Sequence, residues 1–166
     1  MDPEEIEELV RGYTPAQKKA ILEKVPLWTL HRYFMWSNLL RVKFDLVAQE
    51  MPPLPEVDRE SEVIARFAGE FGMFMSYFYG SLYVVVEGWR EMKLSDPTVE
   101  ALLKSPNVDL LRKYRNGVFH YQKTYLDKKF HRLWGEGVDV VNWVRELDDA
   151  FSEFFVRQFP LPDEEQ

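Results

Sequence analysis

Cysteine is absent from the 166-residue chain. Disulfides and thiolate metal sites are therefore excluded, and the redox compartment is left open. Histidine is scarce: His31, His120 and His131 are scattered, without the paired spacing a metal site needs. No metal or other cofactor is expected. A Gly-rich phosphate loop and a serine nucleophile elbow are both missing. So are long hydrophobic runs. Phe71 to Val86 carries no charge for 16 residues but includes Ser76, Ser81 and three tyrosines. A membrane span needs about 20 apolar residues, so this stretch reads as a buried core helix, with no membrane partner. The start, Met-Asp-Pro-Glu-Glu, is acidic and lacks the apolar segment of a signal peptide. The expected setting is the cytoplasm.

Strand signals are few as well; Leu82-Tyr-Val-Val-Val86 is β-like but sits inside a longer helical pattern. What the chain does have is apolar mass, with 46% hydrophobic and 15% aromatic residues. That is enough for one domain burying roughly 70% of its unfolded surface. Residues 3–11 read as a short acidic helix closed by Gly12. Thr14-Pro15 opens a helix to about Lys24, and Pro26 starts another that ends by Glu50. Met51-Pro-Pro-Leu-Pro55 is a connection no helix continues through. The longest helix is expected from Asp58 or Ser61 to Leu94, a short one from Ser95-Asp-Pro97 to Ser105. Another runs from Pro106 to about Tyr121, followed by a basic, aromatic loop over 123–137. Val138 to Phe159 closes the set, and 160–166 is a frayed tail. The expected fold is all-α, one domain over 1–166: an antiparallel bundle of four main helices with additional short ones.

Charge singles out one stretch. The chain carries −7 overall, yet Lys104 to Arg132 holds eight Lys/Arg against two Asp/Glu. That local +6 leaves 13 basic and 26 acidic residues elsewhere, or −13. A basic island in an acidic chain reads as a local phosphate site. At its centre stands Arg115-Asn116-Gly-Val-Phe-His120. On a helical wheel Arg115, Phe119, Asn116 and His120 fall at about 0°, 40°, 100° and 140°, on one side. Leu111 and Val118 point toward the bundle. A guanidinium is always charged and grips phosphate oxygens bidentately, so Arg115 suits binding and charge stabilisation. An imidazole moves a proton near neutrality, so His120 suits acid–base work. The Asn116 amide can hold either the ring or the phosphate. These are the parts needed for a ribose 2′-hydroxyl to attack its own phosphodiester without a metal.

Arg-x4-His with a polar residue after the arginine, on a late helix of an all-α chain, resembles the HEPN superfamily. The six-residue motif carries the specific match; the helical layout covers most of the chain. The resemblance implies metal-independent endoribonuclease activity leaving 2′,3′-cyclic phosphate ends, in a toxin, defence or RNA-processing role. It also implies a homodimer with motif helices facing across a two-fold axis, and an antitoxin or other regulatory protein as partner. By carry-over, Arg115 stabilises the phosphate, His120 handles the proton and Asn116 orients. The chain departs from nucleotidyltransferase-paired toxins two places after the histidine, where Gln122 replaces tyrosine; Tyr121 is directly adjacent to His120 instead. Nucleotidylation of that tyrosine therefore does not carry over.

Further residues join as supports. Glu87, within Val84-Val-Val-Glu-Gly-Trp89, is placed to orient Arg115 or His120 from the neighbouring helix, or to form a core ion pair. Arg112, Lys113, Lys123, Lys128, Lys129 and Arg132 are expected to track an RNA backbone, with His131 beside them. Tyr121, Tyr125, Phe130 and Trp134 either stack bases or tack their own loop down. His31 is expected to be structural. Gly117 in mid-helix costs about 1 kcal/mol relative to alanine, so something approaches closely there. In a two-fold dimer that is the second copy; within one chain it is a bulky neighbour such as Trp89.

Overall fold

The computed structural model describes residues 11–124 and 127–160. These form seven helices and, among the described residues, no strand, as the all-α expectation requires. The acidic helix expected over 3–11 lies almost wholly outside the described residues, as does the tail over 161–166.

Helix α1, Pro15–Glu50, is the longest. Thr14 and Gln17 cap it reciprocally: the Thr14 hydroxyl accepts from the Gln17 amide (3.4 Å), and Gln17 Oε1 accepts from the Thr14 amide (2.9 Å). Pro26 does not start a new helix but sits inside this one. Proline removes one backbone bond, yet Pro26 is exposed and Leu30, Phe34 and Phe44 continue one buried stripe, so packing overrides the local break. The long helix expected up to Leu94 is two: α2, Arg59–Ala68, and α3, Glu70–Glu91. Gly69 parts them in an extended conformation. A side chain at Gly72 would overlap the Phe67 backbone, so the corner needs glycine there too. The turn sets Phe67 edge-on against Phe71, with centroids 6.0 Å apart.

Helix α4, Pro97–Leu102, is capped by Asp96, whose carboxylate accepts from the amides of Thr98 (2.9 Å) and Val99 (3.2 Å). Helix α5, Asn107–Phe119, is followed by α6, Lys128–Glu136, where the sequence suggested a loop. Asp127 caps α6, and Phe130, Leu133 and Trp134 form its inward face at helical spacing. Helix α7, Val140–Gln158, closes the chain. The buried Asn107 side chain exchanges two hydrogen bonds with the Val138 backbone (2.7 and 3.0 Å), fixing the α6–α7 corner to the start of α5.

One core joins the helices, and its neighbours run antiparallel. Phe44 of α1 meets Phe71 and Phe78 of α3, while Leu30 lies against Gly88. Phe34 stacks on Phe155 of α7, and Asp45 pairs with Arg145 (2.6 Å). Tyr77 and Gly80 of α3 take the Phe119 ring, so α5 is antiparallel to α3. Leu82, Val85, Val86, Leu111, Leu147 and Phe151 are fully buried among these helices. Burying side chains of this kind stabilises by about 1.5–3 kcal/mol each, which holds the end of α5 in place. His31 stacks on Phe159 (4.6 Å) and near Phe155, a structural position as expected; burial lowers its pKa.

Candidate active site

Helix α5 carries the motif on a face turned to α3. Arg115 Nη2 lies 3.0 Å from Glu87 Oε2, and Nη1 donates to Asn116 Oδ1 at 3.1 Å. The guanidinium thus spans an acid on the neighbouring helix and the amide beside it. Its Nε is buried without a partner. The Arg115 side chain retains 27% exposure and Glu87 43%, so the pair lies at the surface rather than in the core. A pair this open contributes little to stability, on the order of 1 kcal/mol or less.

His120 is not on the helix. Its backbone is extended (φ −124°, ψ 136°) and the last helical residue is Phe119. The wheel that set His120 one turn after Asn116 therefore fails at its last member. The cause is Gln122, whose place in the sequence suggests only a missing tyrosine. Its side-chain amide donates to the carbonyls of Asn116 (3.3 Å), Gly117 (3.5 Å) and His120. Lys129 Nζ in turn donates to Gln122 Oε1 (2.8 Å). The Asn116 carbonyl, which would receive the His120 amide in a continuing helix, receives Gln122 instead. Three otherwise open carbonyls are joined through Gln122, and the Lys129 cation faces the negative end of the helix. His120 and Tyr121 are left exposed just beyond, Tyr121 at 92%.

Gly117 is buried, and its close neighbour belongs to its own chain. A Cβ there would stand 3.1 Å from Lys129 Cβ and 3.4 Å from Phe130 Cζ. The approach that suggested a second copy is filled by α6. Trp89 plays no part, packing instead on Phe151 and Phe154. Gly117→Leu is expected to push α6 off α5 and lower stability by about 1–3 kcal/mol, with the oligomeric state unchanged. Urea unfolding and sedimentation read the two effects. An undiminished midpoint with altered mass would return Gly117 to an interface between chains.

The basic island is less open than its charge count. Arg112 and Lys113 both pair with Asp109, the former at 2.7 Å, and Arg132 pairs with Glu136 at 3.2 Å. Lys123 and Lys128 are exposed, with no ion pair among the described residues. Phe130 packs edge-on against Tyr114, and Trp134 packs against Tyr79 and Tyr114, so these two aromatics tack α6 down rather than offer a stacking platform. Tyr125 and the His131 side chain lie outside the described residues. Tyr114 bonds Ser76 through its hydroxyl (3.0 Å), and burial pushes its pKa up to about 12, which removes it from proton transfer near neutrality.

No described helix is long and apolar enough to cross a membrane. A shallow groove of about 510 Å³ between α4 and α7 is lined by Leu102, Glu146, Asp149 and Glu153 among others, and no motif residue enters it. Its three carboxylates repel phosphate. Comparison with family models, curated proteins and solved structures finds no match to this chain.

Proposed function

We propose that the chain is a metal-independent endoribonuclease of HEPN type, with Arg115, Asn116 and His120 as its working groups. One observation carries the reading: an arginine fork, oriented by Glu87 and Asn116, at the end of a helix directly followed by an exposed histidine. In this mechanism Arg115 neutralises charge building on the phosphate oxygens, and His120 takes the proton from the 2′-hydroxyl or returns one to the leaving 5′-oxygen. Lys123 and Lys128 lie close enough in sequence to bring the strand in. RNA as substrate, a homodimer and an antitoxin or other regulatory protein belong to the same proposal. With Gly117 filled from within the chain, pairing through the motif helix has lost the residue that argued for it.

The test is incubation of purified protein with structured RNA in EDTA. Cutting should persist, leave a 2′,3′-cyclic phosphate, and vanish when the cut-site ribose is replaced by deoxyribose. Cleavage of the deoxy substrate at that position would rule the mechanism out. A second reading, a helical interaction domain, is favoured by a broad exposed apolar stripe on α1 and by the ion pairs that occupy half of the basic island, at Arg112, Lys113, Arg115 and Arg132. Neither cutting nor binding of RNA would leave that reading standing.

A further inference from the structure

The stripe on α1 has a pattern of its own. Trp28, Met35, Leu39, Val42 and Leu46 are 43, 42, 61, 41 and 48% exposed. Their spacing is seven, four, three and four, the alternation of a coiled-coil seam, and Arg32 occupies the one place it skips. Leu30, Ser37 and Phe44 stand on the opposite side of the same heptads and are buried in the chain's own core. Helix α1 is thus covered on one side by α3 and α7, while among the described residues nothing covers the other. From Trp28 to Leu46 the seam runs about 27 Å. With Trp36 (51% exposed) beside it, the stripe offers roughly 500–600 Å² of apolar surface, at the top of what monomers leave in one patch and most of the ~800 Å² a stable interface buries per partner.

We infer that this seam is the interface with a second copy of the chain, the two α1 helices running antiparallel about a two-fold axis level with Ser37. The chain's own residues select that arrangement. About such an axis Trp28 meets Leu46 of the second copy, and Met35 meets Leu39. The bulky Trp28 faces the smaller Leu46, and Met35 faces a leucine of similar volume, which suits knobs-into-holes packing. Arg32 meets Val42 of the second copy, so its stem lies on an aliphatic surface. Its guanidinium already sits over Trp36 (5.2 Å) and Tyr33 (5.7 Å), leaving it outside the seam. Parallel pairing would set Arg32 against Arg32, a like-charge contact at a seam position. Helix α3 lies between α1 and α5, so this interface sets the motif helices apart. The inference does not depend on the ribonuclease reading.

Sedimentation of the full chain tests it directly. Wild type at tens of micromolar should sediment near twice its 19.8 kDa mass. Leu39→Glu should sediment as a monomer with unchanged helical dichroism, because Leu39 is the most exposed seam residue and its loss leaves the core intact. The cysteine-free background allows a register test. Trp28→Cys and Leu46→Cys should each fail to crosslink alone, their mates lying about 27 Å away, and should form a disulfide when mixed, since bridging needs Cα atoms within about 7 Å. A monomeric wild type overturns the interface, as does a dimer that Leu39→Glu leaves whole. Crosslinking of Trp28→Cys to itself overturns the antiparallel register. Monomers that co-sediment with anionic vesicles would make the stripe a lipid-facing surface instead.

Discussion

His120→Ala should fold and melt like the parent protein yet lose RNA cleavage by about two to four orders of magnitude. The side chain is exposed, stands beyond the last turn of α5, and supports no packing, so stability gives it nothing to lose. Arg115→Lys should lose at least about a hundredfold in cleavage despite keeping its charge. A lysine ammonium is one point, whereas the guanidinium reaches Glu87 through Nη2 and Asn116 through Nη1 at once. Single-turnover cleavage and thermal melts on the same samples separate chemistry from folding. Retained activity in the lysine variant would reduce Arg115 to a tie between α5 and α3. Retained activity in the alanine variant would remove the proposed proton carrier.

The two halves of the motif differ in how far the sequence disclosed them. Arg115 and Asn116 are adjacent on an amphipathic helix, and Glu87 follows from a carboxylate in an otherwise apolar helix, so local rules placed all three. His120 was placed by the same rule, yet it stands one residue beyond the end of the helix. The end of α5 is decided by a side chain beyond it, Gln122, reaching back to three carbonyls. Glutamine after a helix has no fixed role, and only the arrival of Lys129 from α6 gives it one. Much the same contrast runs through the fold. Thr14-Pro15 and Asp96-Pro97 announced their helices because caps act within four residues. Pro26 and Gly69 misled for opposite reasons. A local breaker was overridden by a long buried stripe in one case, and a glycine read as part of a continuous helix turned the chain in the other. Helix α6 was hidden by its basic residues, although Asp127 and the spacing of Phe130, Leu133 and Trp134 held the signal.

Asp148 gives the second large expectation, and it concerns pH. Its carboxylate is 1% exposed on α7, with Oδ2 2.9 Å from Arg41 Nε and Oδ1 buried without a partner. Arg41 is also drawn to Asp45 (2.9 Å) and Asn38 (3.0 Å), so it satisfies Asp148 only in part. Burial pushes the Asp148 pKa up to about 6, against the pull of Arg41 and with a smaller push from Asp149. An acid whose folded pKa exceeds its unfolded one holds a proton in the folded state that the unfolded chain has released. Its contribution is therefore fully present below the unfolded pKa near 3.8 and is lost as pH rises through about 6. From this group alone the protein should gain about 1–2 kcal/mol on going from pH 7.5 to pH 5, opposite to the usual paired carboxylate. Asp148→Asn should abolish that gain, because the amide does not titrate, whatever it does to stability at a single pH. Urea unfolding of both proteins at pH 5 and pH 7.5 gives the four free energies required. An equal pH dependence in the two proteins would mean that Arg41 keeps Asp148 ionised throughout, and that the α1–α7 contact holds a true buried ion pair.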